Sequence, residues 1–136
     1  ILGDGPELSR LKDLVLKFSL QKQVDFIHHD VSSEKIFKNS SVHIMPTITT
    51  PESIEGFGIS NVEAASHGLP CIVSNSGGTP ESIGNNGIIV KENNPKQLVK
   101  AIIDIIKKYK SYSRKSYLFA NNFESNKKIK EYLNAI

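Results

Sequence analysis

Several features that mark particular classes of protein are scarce in this sequence or missing from it. Its one cysteine, Cys71, excludes an internal disulfide and suits a reducing cytosol. Neither a signal-peptide pattern nor an apolar run of membrane-spanning length occurs in these residues. The basic residues are not interleaved with stacking aromatics, so we do not expect nucleic acid as a partner.

The sequence is long enough for one domain with a real core, and its charge is mildly basic. It has 136 residues and a net charge of +3. Much of the basic excess falls late in the chain. We interpret these residues as a solvated helical face, and attraction to an anionic membrane surface or to phosphates is the alternative. They are Lys107, Lys108, Lys110, Arg114, Lys115, Lys127, Lys128 and Lys130.

The first residues suggest that the sequence is a fragment or an excised domain. Ile1, Leu2 and Gly3 include no initiator methionine and open in the middle of a strand-like pattern. We therefore expect further sequence upstream of Ile1.

Short apolar runs alternate with helical patterns, which predicts βα units and a parallel sheet with helices on both faces. The predicted interior strands are residues 24–27, 42–45 and 72–74, and a short strand follows at residues 87–90. Ile1 and Leu2 end a further strand. Helices are predicted from Pro6, at residues 33–39, from near Ile59, briefly after Pro80, from Pro95, and at residues 113–121 and 125–135.

In an open parallel sheet, ligands bind beyond the carboxyl ends of the strands. Four loops of this sequence fall there, at residues 3–6, 28–33, 47–58 and 75–80. The loop at residues 47–54 has no clear periodicity, and we expect it to be mobile. The convergence of these loops on one edge is a stronger argument for a binding site than any single loop.

Residues 55–63, with the sequence EGFGISNVE, form the most informative segment. Glu55 and Glu63 bracket a Gly-Phe-Gly turn that leads into a predicted helix. A helix N-terminus with glycines in front of it suits a phosphate or a sugar hydroxyl. A carboxylate one turn into the helix suits a vicinal diol, because its two oxygens can accept two O–H donors. The alternative is an exposed loop with two solvated glutamates.

His28, His29 and Asp30 raise the question of a metal site. Adjacent residues on a strand point to opposite faces, so they rarely bind one ion together. Because no cysteine or second histidine cluster completes a site, we predict no metal.

Taken in order, several motifs resemble the C-terminal half of the group 1 (family 4) retaining glycosyltransferases, which have the GT-B fold. The motifs are GDGP at residues 3–6, VDFI at 24–27, EGFGI at 55–59 with Glu63 and Ala64, GLP at 68–70 and GGTPE at 77–81. The double-glutamate block with the later glycine pair is the specific part.

The resemblance implies a role for each matching residue. Glu55 would lie beside the transferred sugar and help to stabilise an oxocarbenium-like transition state. The backbone N–H groups of Gly56, Phe57, Gly58 and Ile59 would hold the sugar hydroxyls and the distal phosphate. Glu63 would bind the ribose hydroxyls, Gly5 would line the cleft near the phosphates, and the loop containing His28 and Ser32 would flank the nucleobase.

The resemblance also implies an organisation for the protein. Residues 1–136 would be the nucleotide-sugar donor-binding domain, a fragment without the first strand and without the N-terminal domain that contacts a glycan or lipid-linked acceptor. The family's phosphate-neutralising Arg and Lys would lie upstream, so within the fragment only backbone dipoles near residues 56–59 and 77–79 would balance the diphosphate. His28 replaces a common glycine of the family. We expect the isolated fragment to be inactive.

The function implied is transfer of a sugar from a nucleoside-diphosphate sugar to an acceptor hydroxyl in polysaccharide, glycolipid or glycoprotein synthesis, without a cofactor. The expected location is the cytoplasm, with peripheral contact to the inner face of the membrane as a further possibility. Two alternatives stay open. One is a nucleotide-sugar epimerase of the same fold, and the other is a non-catalytic nucleotide-binding module.

Overall fold

The computed structural model of the chain describes residues 1–123, so the helix predicted at residues 125–135 lies outside the described residues. The chain divides into two compact units, Ile1–Ile36 and Phe37–Ile136. Its helices are α1 (Leu8–Lys17), α2 (Ser33–Lys38), α3 (Ile59–Ser66), α4 (Pro95–Lys107) and α5 (Tyr109–Ala120). Its strands are β1 (His43–Met45), β2 (Cys71–Ser74) and β3 (Gly87–Val90).

The first unit contains α1 and a single parallel bridge between Leu2 and Ile27. The prediction of an interior strand at residues 24–27 is therefore wrong. The N–H of Ile27 donates to the carbonyl of Ile1 at 2.8 Å, and the N–H of Gly3 donates to the carbonyl of Ile27 at 2.9 Å. Gly3 then turns away with φ +128°, so the pairing does not continue beyond Ile27. The predicted first helix begins at Leu8 rather than at Pro6.

The second unit is built on a three-stranded parallel sheet in the order β1-β2-β3, so the predicted parallel arrangement of its strands is confirmed. Ile72 pairs with Ile44 on one side and with Ile88 on the other. All four residues of β2 are buried, as expected for a central strand covered on both faces. β1, predicted to be interior, lies at an edge of this sheet, because the described residues place a partner only on its β2 side.

Successive side chains of β2 point to opposite faces and enter two separate clusters. Cys71 and Val73 pack in a cluster that contains Ala64 of α3. Ile72 packs in the other cluster, with Ala101 and Ile105 of α4. The predicted α/β class, with helices on both faces of the sheet, is confirmed. Burial of a side chain such as Ile72 contributes about 1.5–3 kcal/mol to stability.

The described helices of the second unit begin near their predicted positions, with α5 as the exception. α4 starts at Pro95, where the Asn94 side chain accepts the N–H of Gln97 at 3.0 Å. Ile106, predicted to lie on the buried face of α4, is 63% exposed. α5 starts four residues earlier than predicted, at Tyr109.

No helix follows Pro80 in this part of the structure, although the sequence predicts one. Residues 77–85 form consecutive turns. Gly77 and Gly84 have φ values of +52° and +49°, left-handed conformations that interrupt an α-helix.

Cys71 is buried, and burial raises the pKa of its thiol to about 12. The apolar run at residues 70–73 predicts a buried, unreactive Cys71, and its burial is confirmed. Among the described helices, none has both the length and the apolar character needed to cross a membrane.

Candidate functional site

The loop at residues 55–58, called the Glu55 loop, closes around its own carboxylate. Oε1 of Glu55 accepts the N–H of Gly58 at 3.1 Å and, more weakly, that of Phe57 at 3.5 Å. Gly58 is the residue before α3 and has a left-handed φ of +84°. A Cβ at Gly58 would lie 2.6 Å from Nδ2 of Asn61, so glycine is required there. The loop therefore holds an anionic group on backbone amides at a helix N-terminus.

A second loop, the glycine loop (residues 75–80), lies directly against the Glu55 loop. The N–H of Gly78 donates to the carbonyl of Glu55 at 3.0 Å. A Cβ at Gly77 would lie 2.1 Å from the carbonyl oxygen of Glu55, and one at Gly78 would lie 2.0 Å from that of Gly56. Only glycine at these two positions allows the two backbones to approach each other this closely.

Backbone N–H groups at residues 77–79 are expected to be available to a diphosphate. For two of these residues that expectation is wrong. The N–H of Gly78 is bound to Glu55, as described above. The N–H of Thr79 donates to the carbonyl of Ser76 at 3.1 Å. These hydrogen bonds lie within the protein, so the glycine loop positions the Glu55 loop instead of offering these amides to a ligand.

Buried polar side chains beneath the two loops connect them, and the sequence analysis missed these residues. Nδ2 of Asn61 donates to Oγ of Ser82 at 2.7 Å, and that hydroxyl donates to the carbonyl of Thr79 at 2.8 Å. All three residues are fully buried. The available signal was a polar Asn61 inside the otherwise small and apolar start of α3.

The outer surface of α3 carries the other predicted residues of this segment. Glu63 is exposed and follows Ile59 by four residues, so the two lie on the same side of the helix. Ile59 is 70% exposed. The Phe57 ring is half-buried, with its centroid 5.9 Å from that of Phe123. The structure brings Glu55, Gly56, Phe57, Gly58 and Ile59 into one continuous loop and helix start.

The loop at residues 47–54, expected to be mobile, is anchored at Thr49. The Thr49 hydroxyl donates to Oε1 of Glu92 at 2.7 Å, and its N–H donates to Oε2 at 2.9 Å. The hydroxyl also lies 2.8 Å from Oγ of Ser76. The hydrogen bonds from Thr49 hold the pKa of Glu92 below its usual value. A Thr50–Ser53 bridge closes the rest of the loop.

Gly5, His28 and Ser32 lie in the first unit. The Gly5 carbonyl accepts the N–H of Leu8 at 3.0 Å, and a Cβ on Gly5 would meet nothing within 4 Å. The Ser32 carbonyl accepts the N–H of Lys35 at 3.1 Å at the start of α2. Open space beside Gly5 leaves its backbone accessible to a ligand.

His28 and His29 do not point to opposite faces, so the premise used against a metal site is wrong. They follow Ile27 outside any strand, and their ring centroids are 4.2 Å apart. Both rings contact the carboxylate of Asp4, at 2.9 Å for His28 and 2.8 Å for His29. Asp4 lies 24 residues before His28 in the sequence, and no local spacing pattern connects them.

Comparisons with known proteins agree on one family. The sequence model of Glycosyl transferases group 1 matches residues 1–117. An uncharacterized glycosyltransferase of Haemophilus influenzae is 28% identical over 97% of this chain and 38% of its own length. A phosphatidylinositol N-acetylglucosaminyltransferase polypeptide of Arabidopsis thaliana is 34% identical over 74% of this chain and 22% of its own length. This chain therefore spans less than two fifths of each of these relatives.

A solved structure shows the same fold. The pneumococcal O-GlcNAc transferase, determined in complex with UDP and GlcNAc, superposes with a TM-score of 0.80 at 19% identity. The superposition covers 99% of this chain and 28% of the transferase. This likeness confirms the predicted GT-B-type α/β fold. Since the family match extends over most of the sequence, the chain belongs to the group 1 glycosyltransferases.

Proposed function

We propose that the protein containing this chain is a retaining glycosyltransferase. It transfers a sugar from a nucleoside-diphosphate sugar to an acceptor hydroxyl in polysaccharide, glycolipid or glycoprotein synthesis. The observation that carries the proposal is the Glu55 loop, whose amides already hold a carboxylate oxygen in front of α3. Family membership supports the reaction class.

The geometry suggests how the Glu55 loop would take a donor. The N–H groups of Phe57 and Gly58 converge on one anionic oxygen, and the distal phosphate of a donor presents the same kind of oxygen. When phosphate takes these amides, the Glu55 carboxylate is released from them. It can then accept hydroxyls of the transferred sugar and stabilise positive charge that develops at the anomeric carbon.

Other residues complete the proposed donor site. Exposed Glu63 accepts the two ribose hydroxyls, and the Gly56 and Ile59 amides add donors for the sugar and phosphate. For the first unit by itself, the family resemblance assigns Gly5 to the phosphates, and His28 and Ser32 to the nucleotide. The nucleotide sugar is a substrate, and the transfer step needs no cofactor in this proposal.

The acceptor and the location are also proposals. A glycan or lipid-linked acceptor would bind through a second domain, and the protein would work in the cytoplasm. Contact with the inner face of the membrane is supported by exposed lysines that follow one another at the end of α4 and the start of α5, Lys107, Lys108 and Lys110.

The function is tested with the intact protein and a panel of UDP- and GDP-sugars. A thermal-shift screen identifies the donor, and NMR of the product reads the anomeric configuration, which we expect to be retained. Glu55→Gln should lower kcat about 10²–10³-fold, the usual effect of removing one preorganised electrostatic group. Nucleotide affinity should not fall, because Glu55 competes with the phosphate for the same amides and is not itself a ligand of the nucleotide.

Glu52→Gln is the matched control, since Glu52 is an exposed glutamate three residues away. We expect it to keep wild-type turnover. Inversion at the anomeric carbon, or full activity of Glu55→Gln, would contradict the proposal.

A further inference from the structure

We propose that Asp4, His28 and His29 form a binding site for a divalent transition-metal ion, with Zn²⁺ as the ion that fits best. Among the described residues these three form the one group whose potential ligand atoms, one from each side chain, all lie within 4.8 Å of one another. The proposal rests on the first unit alone, and because His28 is also a proposed nucleotide contact, the site is tested without nucleotide.

One nitrogen of each histidine ring, called the inner nitrogen, faces the same carboxylate oxygen of Asp4. Nε2 of His28 lies 2.9 Å from Oδ2 of Asp4, and Nδ1 of His29 lies 2.8 Å from it. Bonds of about 2.0–2.2 Å from zinc to nitrogen and oxygen require tetrahedral ligands to be roughly 3.3–3.5 Å apart. Side-chain rotations that widen these contacts by about half an ångström would admit the ion.

The other nitrogen of each ring, called the outer nitrogen, faces the carboxylate of Asp30. Nδ1 of His28 lies 3.0 Å from Oδ2 of Asp30, and Nε2 of His29 lies 3.1 Å from Oδ1. Metal-bound histidines commonly donate their other ring N–H to a carboxylate, which fixes the tautomer and the ring orientation. The N–H of Asp30 also donates to Nδ1 of His28, over the longer distance of 3.4 Å, when that nitrogen carries no proton.

Charge and chemistry favour a cation between the inner nitrogens and Asp4. If Asp30 accepts the outer N–H groups, each inner nitrogen of a neutral ring directs a lone pair at a carboxylate oxygen. Two acceptors at this distance need a cation between them, which is either a proton on each ring or one metal ion shared by both rings. A divalent ion neutralises both carboxylates, and imidazole with carboxylate is a ligand set that suits zinc.

The backbone holds these side chains close together. Leu2 and Ile27 form a parallel bridge, and the N–H of Gly3 donates to the carbonyl of Ile27 at 2.9 Å. Asp4 and His28 are the residues that follow this pairing on the two segments. The ligands are therefore positioned by backbone hydrogen bonds, and the exposed side chains leave the ion a path from solvent.

The test is calorimetric titration of ZnCl₂ into the intact, chelator-stripped protein without nucleotide. We expect one site per chain that Mg²⁺ and Ca²⁺ do not fill, because those ions prefer all-oxygen ligands. Asp4→Asn and His29→Gln should each weaken Zn²⁺ binding at least tenfold, and Asp30→Asn should weaken it about 10–100-fold through the ring orientation. His67→Gln and Asp13→Asn are the controls and should bind as wild type does.

A readout on the unmodified chain covers the case in which a variant fails to fold. Zn²⁺ should shift the imidazole NMR signals of His28 and His29 in the wild-type protein before those of His43 and His67. The proposal is overturned if wild type shows no Zn²⁺ binding up to millimolar concentration, if folded Asp4→Asn and His29→Gln bind as tightly as wild type, or if His43 or His67 responds first.

Discussion

Gly78→Ala is the substitution that should most selectively disturb the candidate site. Gly78 has an ordinary φ, so an alanine there strains no dihedral. Its Cβ, however, would lie 2.0 Å from the carbonyl oxygen of Gly56, whereas real Cβ contacts essentially never fall below 3.0 Å. The neighbour is backbone and not the end of a flexible side chain. The Glu55 loop must therefore retreat by about 1 Å or more.

The expected loss follows from that displacement. Misplacement of a catalytic group by about 1 Å costs roughly 10²-fold in rate, and forced overpacking costs about 1–3 kcal/mol of stability. We expect kcat of the intact protein to fall about 100-fold, with a stability loss within that range. Turnover is measured as nucleotide release from the donor, and stability as urea unfolding followed by circular dichroism.

Gly68→Ala separates general destabilisation from loop displacement. Gly68 has φ +75°, so alanine there costs about 1–2 kcal/mol of backbone strain. Gly68 follows the C-terminal end of α3, away from the Glu55 loop. Its Cβ would meet the ring of Tyr117, an exposed residue of α5 that can move away. We expect similar stability loss with near wild-type kcat. The reasoning fails if Gly78→Ala keeps kcat within threefold of wild type, or if Gly68→Ala loses as much.

Two further predictions concern polar residues of the second unit, the half-buried His43 and the buried Asn61. Burial lowers the pKa of His43 below its ordinary value of 6.5, while Asn61 raises it by a smaller amount. The unfolded state therefore takes up the proton first, so stability should be constant above about pH 6.5 and fall below it until the folded pKa is reached. Urea unfolding at several pH values should show a slope that His43→Gln removes. Asn61→Ala should lower the unfolding free energy by about 1–3 kcal/mol, because the buried Ser82 hydroxyl oxygen loses the N–H that it accepts, whereas exposed Asn85→Ala should not.

The sequence predicted the sheet of the second unit and the Glu55 segment because both depend on local patterns. The apolar run around Ile72 indicates a strand that is buried on both faces, and the glycines before Ile59 mark the start of α3. Residues 24–27 form a single bridge at Ile27 and not a strand, and the pairing ends where Gly3 turns away.

What the sequence could not predict depends on contacts between distant residues. The helix predicted after Pro80 is absent from the described residues, where Gly84 has a left-handed φ and lies against the ring of Phe119, which is distant in sequence. Thr49 and Glu92 are 43 residues apart, so the hydrogen bonds that anchor the loop at residues 47–54 have no local signature. The same holds for Asp4 and the two histidines.

The central claim is that Glu63 and the Glu55 loop bind the donor nucleotide sugar. The most direct test is calorimetry of the donor's nucleoside diphosphate with the intact protein, its Glu63→Ala variant and its Glu52→Ala variant. Loss of a hydrogen-bonded carboxylate should cost about 1.5–3 kcal/mol, or roughly 10–150-fold in Kd. We predict that loss for Glu63→Ala and unchanged affinity for Glu52→Ala. Equal affinity of wild type and Glu63→Ala would contradict the account.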